Sequence, residues 1–153
     1  MEDSLLTQRT EALTIDAVAH CTEFARAQAC QAGFGAARVD EVELVVEEVA
    51  ANICHYSYGD GLGNVELVCQ LLGAQVLQLE FTDSGQPFNM LAMPEPDLAV
   101  DIDERRLGGV GVPMMRALVD RASYRRDGQR NVLCLEFHPA CRLRGAAQMD
   151  SNE

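Results

Sequence analysis

From Val39 to Ile53 the apolar residues Val42, Val45, Val46, Val49 and Ile53 recur every three or four positions, the stripe of an amphipathic helix. The spacing predicts a helix over about Ala37 to Tyr58, closed by the glycine-rich HYSYGDGLGN. Upstream, Thr10 to Ile15 reads as a short strand. Asp16 then suits the N-cap of an Ala-rich helix reaching about Ala32, with Val18, Cys21, Phe24 and Ala25 inward and Gly33 and Gly35 at its end. Two Val- and Leu-rich runs, Val65 to Leu72 and Val76 to Thr82, read as strands joined at Gly73. Asp83 to Gly111 is long and irregular. A helix over about Val112 to Asp120 follows, then strands at Ala122 to Arg126 and Asn131 to Phe137, with Asp127-Gly128 as their turn and Pro139 as the stop. The order is β-α-α-β-β-lid-α-β-β, with no βαβ alternation. It predicts an α+β two-layer sandwich: a mostly antiparallel sheet carrying helices on one face.

At 153 residues the chain fits one domain, placed at residues 10–139 between a loose terminus (1–9) and a polar tail (140–153). No apolar run nears the roughly 20 residues that a membrane-spanning helix needs. The polar, acidic start is unlike a secretory signal, so the expected compartment is the cytoplasm. The six cysteines lack metal-site spacing and read as reduced thiols, with Cys69 and Cys134 as small core residues; His20, His55 and His138 are scattered. The net charge of −12 is unevenly placed: residues 1–104 hold 19 acidic and 3 basic side chains, residues 105–153 hold 5 and 9. Every basic residue is arginine. This balance argues against a nucleic-acid binder; the basic third suits phosphates, and the acidic remainder a basic partner or plain solvation.

Three stretches carry candidate chemistry. Glu48 and Asn52 lie one helical turn apart at the edge of the apolar stripe, where a carboxylate could take a proton and an amide oxygen could ligate Mg²⁺. The plain alternative is a solvated face through Glu47 and Glu48 and a fraying end at Asn52. Asp83-Ser84-Gly85-Gln86-Pro87-Phe88 follows a strand directly: the carboxylate can accept from an exocyclic amine, and the glycine lets a flat ring approach. The same residues also make an ordinary turn. Arg105-Arg106-Leu107-Gly108-Gly109-Val110-Gly111 leads into a helix whose N-terminus suits phosphate, although it departs from the Walker and dinucleotide patterns and a flexible linker would look alike.

In this order the three stretches resemble the N, G1 and G2 boxes of the GHKL ATPase superfamily, most of all the small anti-sigma-factor serine kinases. The likeness runs from about residue 10 to 138, on through Ala117-Leu-Val-Asp120, Tyr124-Arg-Arg-Asp-Gly128 and Asn131-Val-Leu. The resemblance implies the Bergerat ATP-binding fold and, as cofactors, ATP and Mg²⁺. It makes Asn52 the Mg²⁺ ligand and Glu48 the general base, with Glu47 as understudy. Asp83, Gly85 and Pro87 fall to the adenine, Gly108, Gly109, Val110 and Gly111 to the phosphates, and 89–108 to a lid. Arg105 and Arg106 stand near the place of an arginine that reaches the γ-phosphate, but Leu107 and Gly108 intervene. The lid is acidic at Glu95, Asp97, Asp101, Asp103 and Glu104.

The activity implied is phosphorylation of a serine on a STAS-domain anti-anti-sigma protein, by a homodimer that also sequesters a sigma factor or another target. A non-catalytic ATP-holding partner-switching module has the same residues. A histidine-kinase ATP domain is a third reading, disfavoured by the absence of a phosphoacceptor helix pair upstream of these boxes.

Overall fold

The computed structural model describes residues 4–12, 15–59, 63–73, 75–93 and 111–140. Strand β1 (Ser4–Ala12) leads into helices α1 (Ile15–Gln31) and α2 (Ala36–Asn52). The hairpin β2 (Asn64–Leu72) and β3 (Val76–Asp83) follows, then α3 (Gly111–Leu118) and a second hairpin, β4 (Arg121–Asp127) and β5 (Arg130–Phe137). The five strands form one antiparallel sheet in the order β1-β2-β3-β5-β4. The two-layer α+β architecture expected from the hydrophobic pattern is the one observed.

The period of two explains the layers. Val65, Leu67 and Cys69 of β2, Leu77, Leu79 and Phe81 of β3, and Leu133, Leu135 and Phe137 of β5 are buried. They share one cluster with Cys21, Ala25 and Ala29 of α1, with Met115 and Leu118 of α3, and with the α2 stripe. Val42, Val45, Val46 and Val49 have 0% exposure, and each such side chain contributes about 1.5–3 kcal/mol on burial. Glu66, Gln70, Gln78, Glu80 and Glu136 alternate with the buried set along the strands and stay half-exposed. Both hairpin turns use glycine at positive φ, Gly73 at 59° and Gly128 at 63°.

Three expectations are corrected. β1 begins at Ser4, so most of the stretch read as a loose terminus pairs with β2, Ser4 opposite Leu71 through Ala12 opposite Asn64. A polar strand with no clear alternation (SLLTQRTEA) gave no signal of this. The organising helix does not run on as α-helix to Tyr58: it ends at Asn52 and continues as one π-helical turn, Ile53–Ser57. Cys134 is half-buried rather than a core residue, since it lies one position out of phase with Leu133 and Leu135.

Arg38 ties the helical layer to the sheet. Its guanidinium, 1% exposed, donates to Glu41 Oε1 (2.8 Å), the Leu118 carbonyl (2.7 Å), Asp120 Oδ2 (2.6 Å) and the His138 carbonyl (2.7 Å). Its Cζ also stands 5.1 Å from the centre of the Phe137 ring. One side chain thus fixes the C-terminal end of α3 and the end of β5 against the start of α2.

Candidate active site

Asn52 is 2% exposed, held in by the turn that continues past it; it does not fray. Its Nδ2 donates to the Glu48 carbonyl at 2.8 Å and to Glu48 Oε2 at 2.6 Å. Its Oδ1 is buried and has no hydrogen-bond partner among the described residues. An amide oxygen left bare in a protein interior costs about 1–3 kcal/mol unless something satisfies it, and a hard cation is a fitting partner. Glu48 is half-buried and Glu47 exposed, so the edge-of-stripe position holds for Glu48 and the solvated face for Glu47.

Gly111, the first residue of α3, faces Glu48. A Cβ there would land on the Glu48 carboxylate, so any larger residue would push that side chain from its present position. The first amides of a helix have no partners within it and carry the positive end of its dipole. The fold therefore sets a carboxylate, an unpartnered amide oxygen and a helix N-terminus in one place. Those groups suit a metal-assisted transfer of phosphate.

The Asp83 loop closes the other side. Asp83 ends β3, is 4% exposed and accepts on Oδ1 from Gly85 N (2.9 Å) and Asn131 Nδ2 (2.9 Å). Burial pushes its carboxyl above the usual carboxylate range, opposed by the hydrogen bonds from Asn131 and Gly85 and by the charge of Arg126. Gly85 packs so close to the π turn that a Cβ would strike the Ser57 backbone carbonyl. Gln86 N donates to that same carbonyl at 2.9 Å, and Gln86 Nε2 donates to the Tyr56 carbonyl at 2.7 Å. The Tyr58 hydroxyl accepts from Ser84 N and donates to the Asn64 carbonyl, each at 2.8 Å. The π turn is thus the seat of the loop; such turns are frequent at functional sites. Pro87 is exposed at the loop's tip, and Phe88 stacks on Tyr56 with ring centres 5.0 Å apart.

Beneath Phe88 lies a small hollow with a cavity volume of about 10 Å³, lined by Ile53, Met90, Tyr124 and Leu133 with Asp83 and Asn131. Its lining is mostly apolar, with Asp83 and Asn131 as the polar members. Asn131 is the site residue that the sequence reading did not single out. Its signal was a polar residue opening an otherwise apolar strand, and the β3–β5 register sets it opposite Asp83.

Arg105, Arg106, Gly108, Gly109 and Val110 lie outside the described residues, as does the lid from residue 94 onward. Its described beginning holds a short 3₁₀ turn, Met90–Ala92, capped by Asn89. Among the described residues no group of three or more His, Cys, Asp or Glu side chains gathers to hold a metal, and no helix is long and apolar enough to cross a membrane. Cys21, Cys30, Cys54, Cys69 and Cys134 are thiols outside any disulfide among the described residues. Burial pushes the Cys69 thiol up to about 12 and, with Glu80 and Glu136 adding, that of Cys134 to about 11, so both stay protonated and unreactive.

Comparison with known structures finds the same fold. The RsbU and RsbW domains of Rv1364c from Mycobacterium tuberculosis superpose with a TM-score of 0.60 at 15% identity, over 92% of this chain and 34% of that one. The histidine kinase domain of the Erythrobacter litoralis EL346 blue-light activated histidine kinase superposes with a TM-score of 0.50 at 20% identity, over 80% of this chain and 60% of that one. The chain thus spans about a third of the first structure and three-fifths of the second. No curated protein matches it by sequence. The model of the histidine kinase-like ATPase domain matches residues 11–137, all five strands included at least in part. A match over that much of the fold makes the chain a member of the histidine kinase-like ATPase domain family, within the GHKL superfamily.

Proposed function

We propose that the chain is an ATP-dependent protein serine kinase of the anti-sigma-factor type. It phosphorylates a serine on a STAS-domain anti-anti-sigma partner and, as a cytoplasmic homodimer, holds a sigma factor or another target by partner switching. The observation that carries this reading is the buried, unpartnered Oδ1 of Asn52 one turn from Glu48, with the N-terminus of α3 against the Glu48 carboxylate.

Each residue then has a role that follows from its place. Asn52 Oδ1 holds Mg²⁺, and its Nδ2 fixes the Glu48 carboxylate at the edge of the site. Glu48, half-exposed, is placed to receive the proton of a serine hydroxyl that approaches from solvent. The first amides of α3 offer hydrogen bonds to phosphate oxygens. Asp83 takes the exocyclic amine of adenine, with Gly85 and Pro87 beside the ring. Bound Mg²⁺ neutralises charge on the phosphates, and positioning supplies most of the rest in phosphoryl transfer. The fold shared with the RsbU and RsbW domains supports the architecture of this reading.

The test compares wild type with Glu48→Gln for ATP affinity by calorimetry and for phosphate transfer to a STAS-domain partner. A general base contributes about 10²–10⁴-fold, so transfer falls by at least about a hundredfold in Glu48→Gln while ATP affinity stays within a few fold. Wild type that binds ATP and transfers nothing is instead a non-catalytic binding module. Absence of binding at millimolar Mg-ATP rejects the nucleotide site itself.

A further inference from the structure

Asn131 makes five hydrogen bonds through one buried amide. Nδ2 donates to Asp83 Oδ1 (2.9 Å) and the Gln86 carbonyl (2.8 Å); Oδ1 accepts from Phe88 N (3.1 Å), the Tyr124 hydroxyl (2.6 Å) and Arg126 Nη1 (3.1 Å). The set determines which way the amide points. A backbone N–H and a guanidinium can only donate, so the oxygen must face them and the NH₂ must face Asp83. Arg126, which never loses its charge, also donates to the Gly85 carbonyl at 2.9 Å and so holds the loop from the same side.

This polarity matters because of where Asp83 sits. A carboxyl group buried at the end of β3 tends toward its neutral form, which carries an O–H able to donate to a carbonyl. Held ionised by an N–H donor, it offers acceptors alone. Adenine presents an exocyclic amine at the edge where guanine presents a carbonyl, so the two forms of Asp83 read the bases differently. We infer that Tyr124 and Arg126, acting through Asn131, are positioning residues that set base selectivity: they keep Asp83 an all-acceptor carboxylate, which takes an exocyclic amine and rejects a ring carbonyl. The inference rests on the nucleotide-site reading above and goes beyond it in naming what decides between purines.

Tyr124 and Arg126 are half-exposed on the edge strand β4, so neither replacement empties the core. The experiment measures dissociation constants for Mg-ATP and Mg-GTP in wild type, Tyr124→Phe, Arg126→Met and the double variant, with thermal melts to confirm folding. Wild type prefers ATP. Each single variant lowers the ATP-over-GTP preference by a few fold, and the double variant by about tenfold or more, as expected for two hydrogen bonds of ordinary worth. A purely structural role would weaken both nucleotides together and leave their ratio alone. A ratio unchanged within about twofold in the double variant, or in both singles if the double does not fold, overturns the inference and leaves the nucleotide site standing. Equal wild-type affinity for the two nucleotides overturns it as well. Wild type that binds neither removes the site reading and, with it, this one.

Discussion

Gly85→Ala isolates the close approach between the Asp83 loop and the π turn. The added Cβ would fall on the Ser57 carbonyl oxygen, with the carbonyl carbon and Ser57 Cβ each 2.7 Å away. These atoms are backbone or next to it, and they belong to a turn seated between α2 and the sheet, so the loop must move instead. Overpacking of this kind costs about 1–3 kcal/mol. Lifting the loop also strains the hydrogen bonds from Gln86 N to Ser57, from Gly85 N to Asp83 and from Arg126 to the Gly85 carbonyl. Losing one of them adds about 1 kcal/mol, for a total near 2–4 kcal/mol. In a domain of this size each kcal/mol shifts the melting temperature by about 2–4 °C, so Gly85→Ala should melt roughly 5–15 °C below wild type. Urea unfolding should show a lower midpoint with an unchanged slope, since the same surface is exposed. Mg-ATP binding should fall along with stability, because Asp83 loses the geometry that Gly85 N imposes. A melting temperature within about 2 °C of wild type would refute the reasoning, since a clash with backbone cannot be that cheap.

Asn52→Leu removes an unsatisfied buried oxygen together with two hydrogen bonds to Glu48, and these nearly cancel; a calorimetric melt should find stability within about 1 kcal/mol of wild type while Mg-ATP binding collapses. Arg38→Met leaves the 2%-exposed Glu41 without its guanidinium and drops bonds to Leu118, Asp120 and His138, so denaturant titration should show a loss of about 3–5 kcal/mol. Asp83 has its folded-state pKa raised by burial, so it binds protons more tightly folded than unfolded. Its contribution to stability is full below the unfolded pKa and is lost as pH rises through the folded one. Asp83→Asn should therefore be at least as stable as wild type at neutral pH, with the gap closing as pH falls, in melts taken across that range. The same variant should lose ATP binding.

What the sequence discloses of this fold depends on periodicity. Val42, Val45, Val46 and Val49 repeat at helical spacing, and β2, β3 and β5 alternate strongly enough to mark their buried faces; the three strands and the start of α2 are legible to within a residue or two, the end of α2 is not. β1 is caught only at its end: the strand expected over Thr10–Ile15 overlaps Ser4–Ala12 at three residues, because SLLTQRTEA has no clean alternation and owes its conformation to its pairing with β2. The π turn was invisible for a related reason: Ile53 to Ser57 has ordinary helix composition, and the wider winding is tied to the carbonyls that receive Gln86. In the site, Glu48, Asn52 and Asp83 could be found because each sits at a fixed offset from an apolar pattern. Asn131 has such an offset too, but its meaning comes from strand register, which a linear reading does not supply.

The hydrogen bond between Asp83 and Asn131 joins residues 48 apart, and the bond from Arg38 to the His138 carbonyl joins residues 100 apart. Contacts that close long loops are entropically late, whereas the β2–β3 hairpin and the α1–α2 pair close short ones. The pocket is therefore finished only when β5 has docked beside β3. A ligand that bridges Asn52 and Asp83 would bind only once β5 has docked, so it would act as a clasp on that pairing. Its signature would be slower amide exchange in β5, with little change in α1.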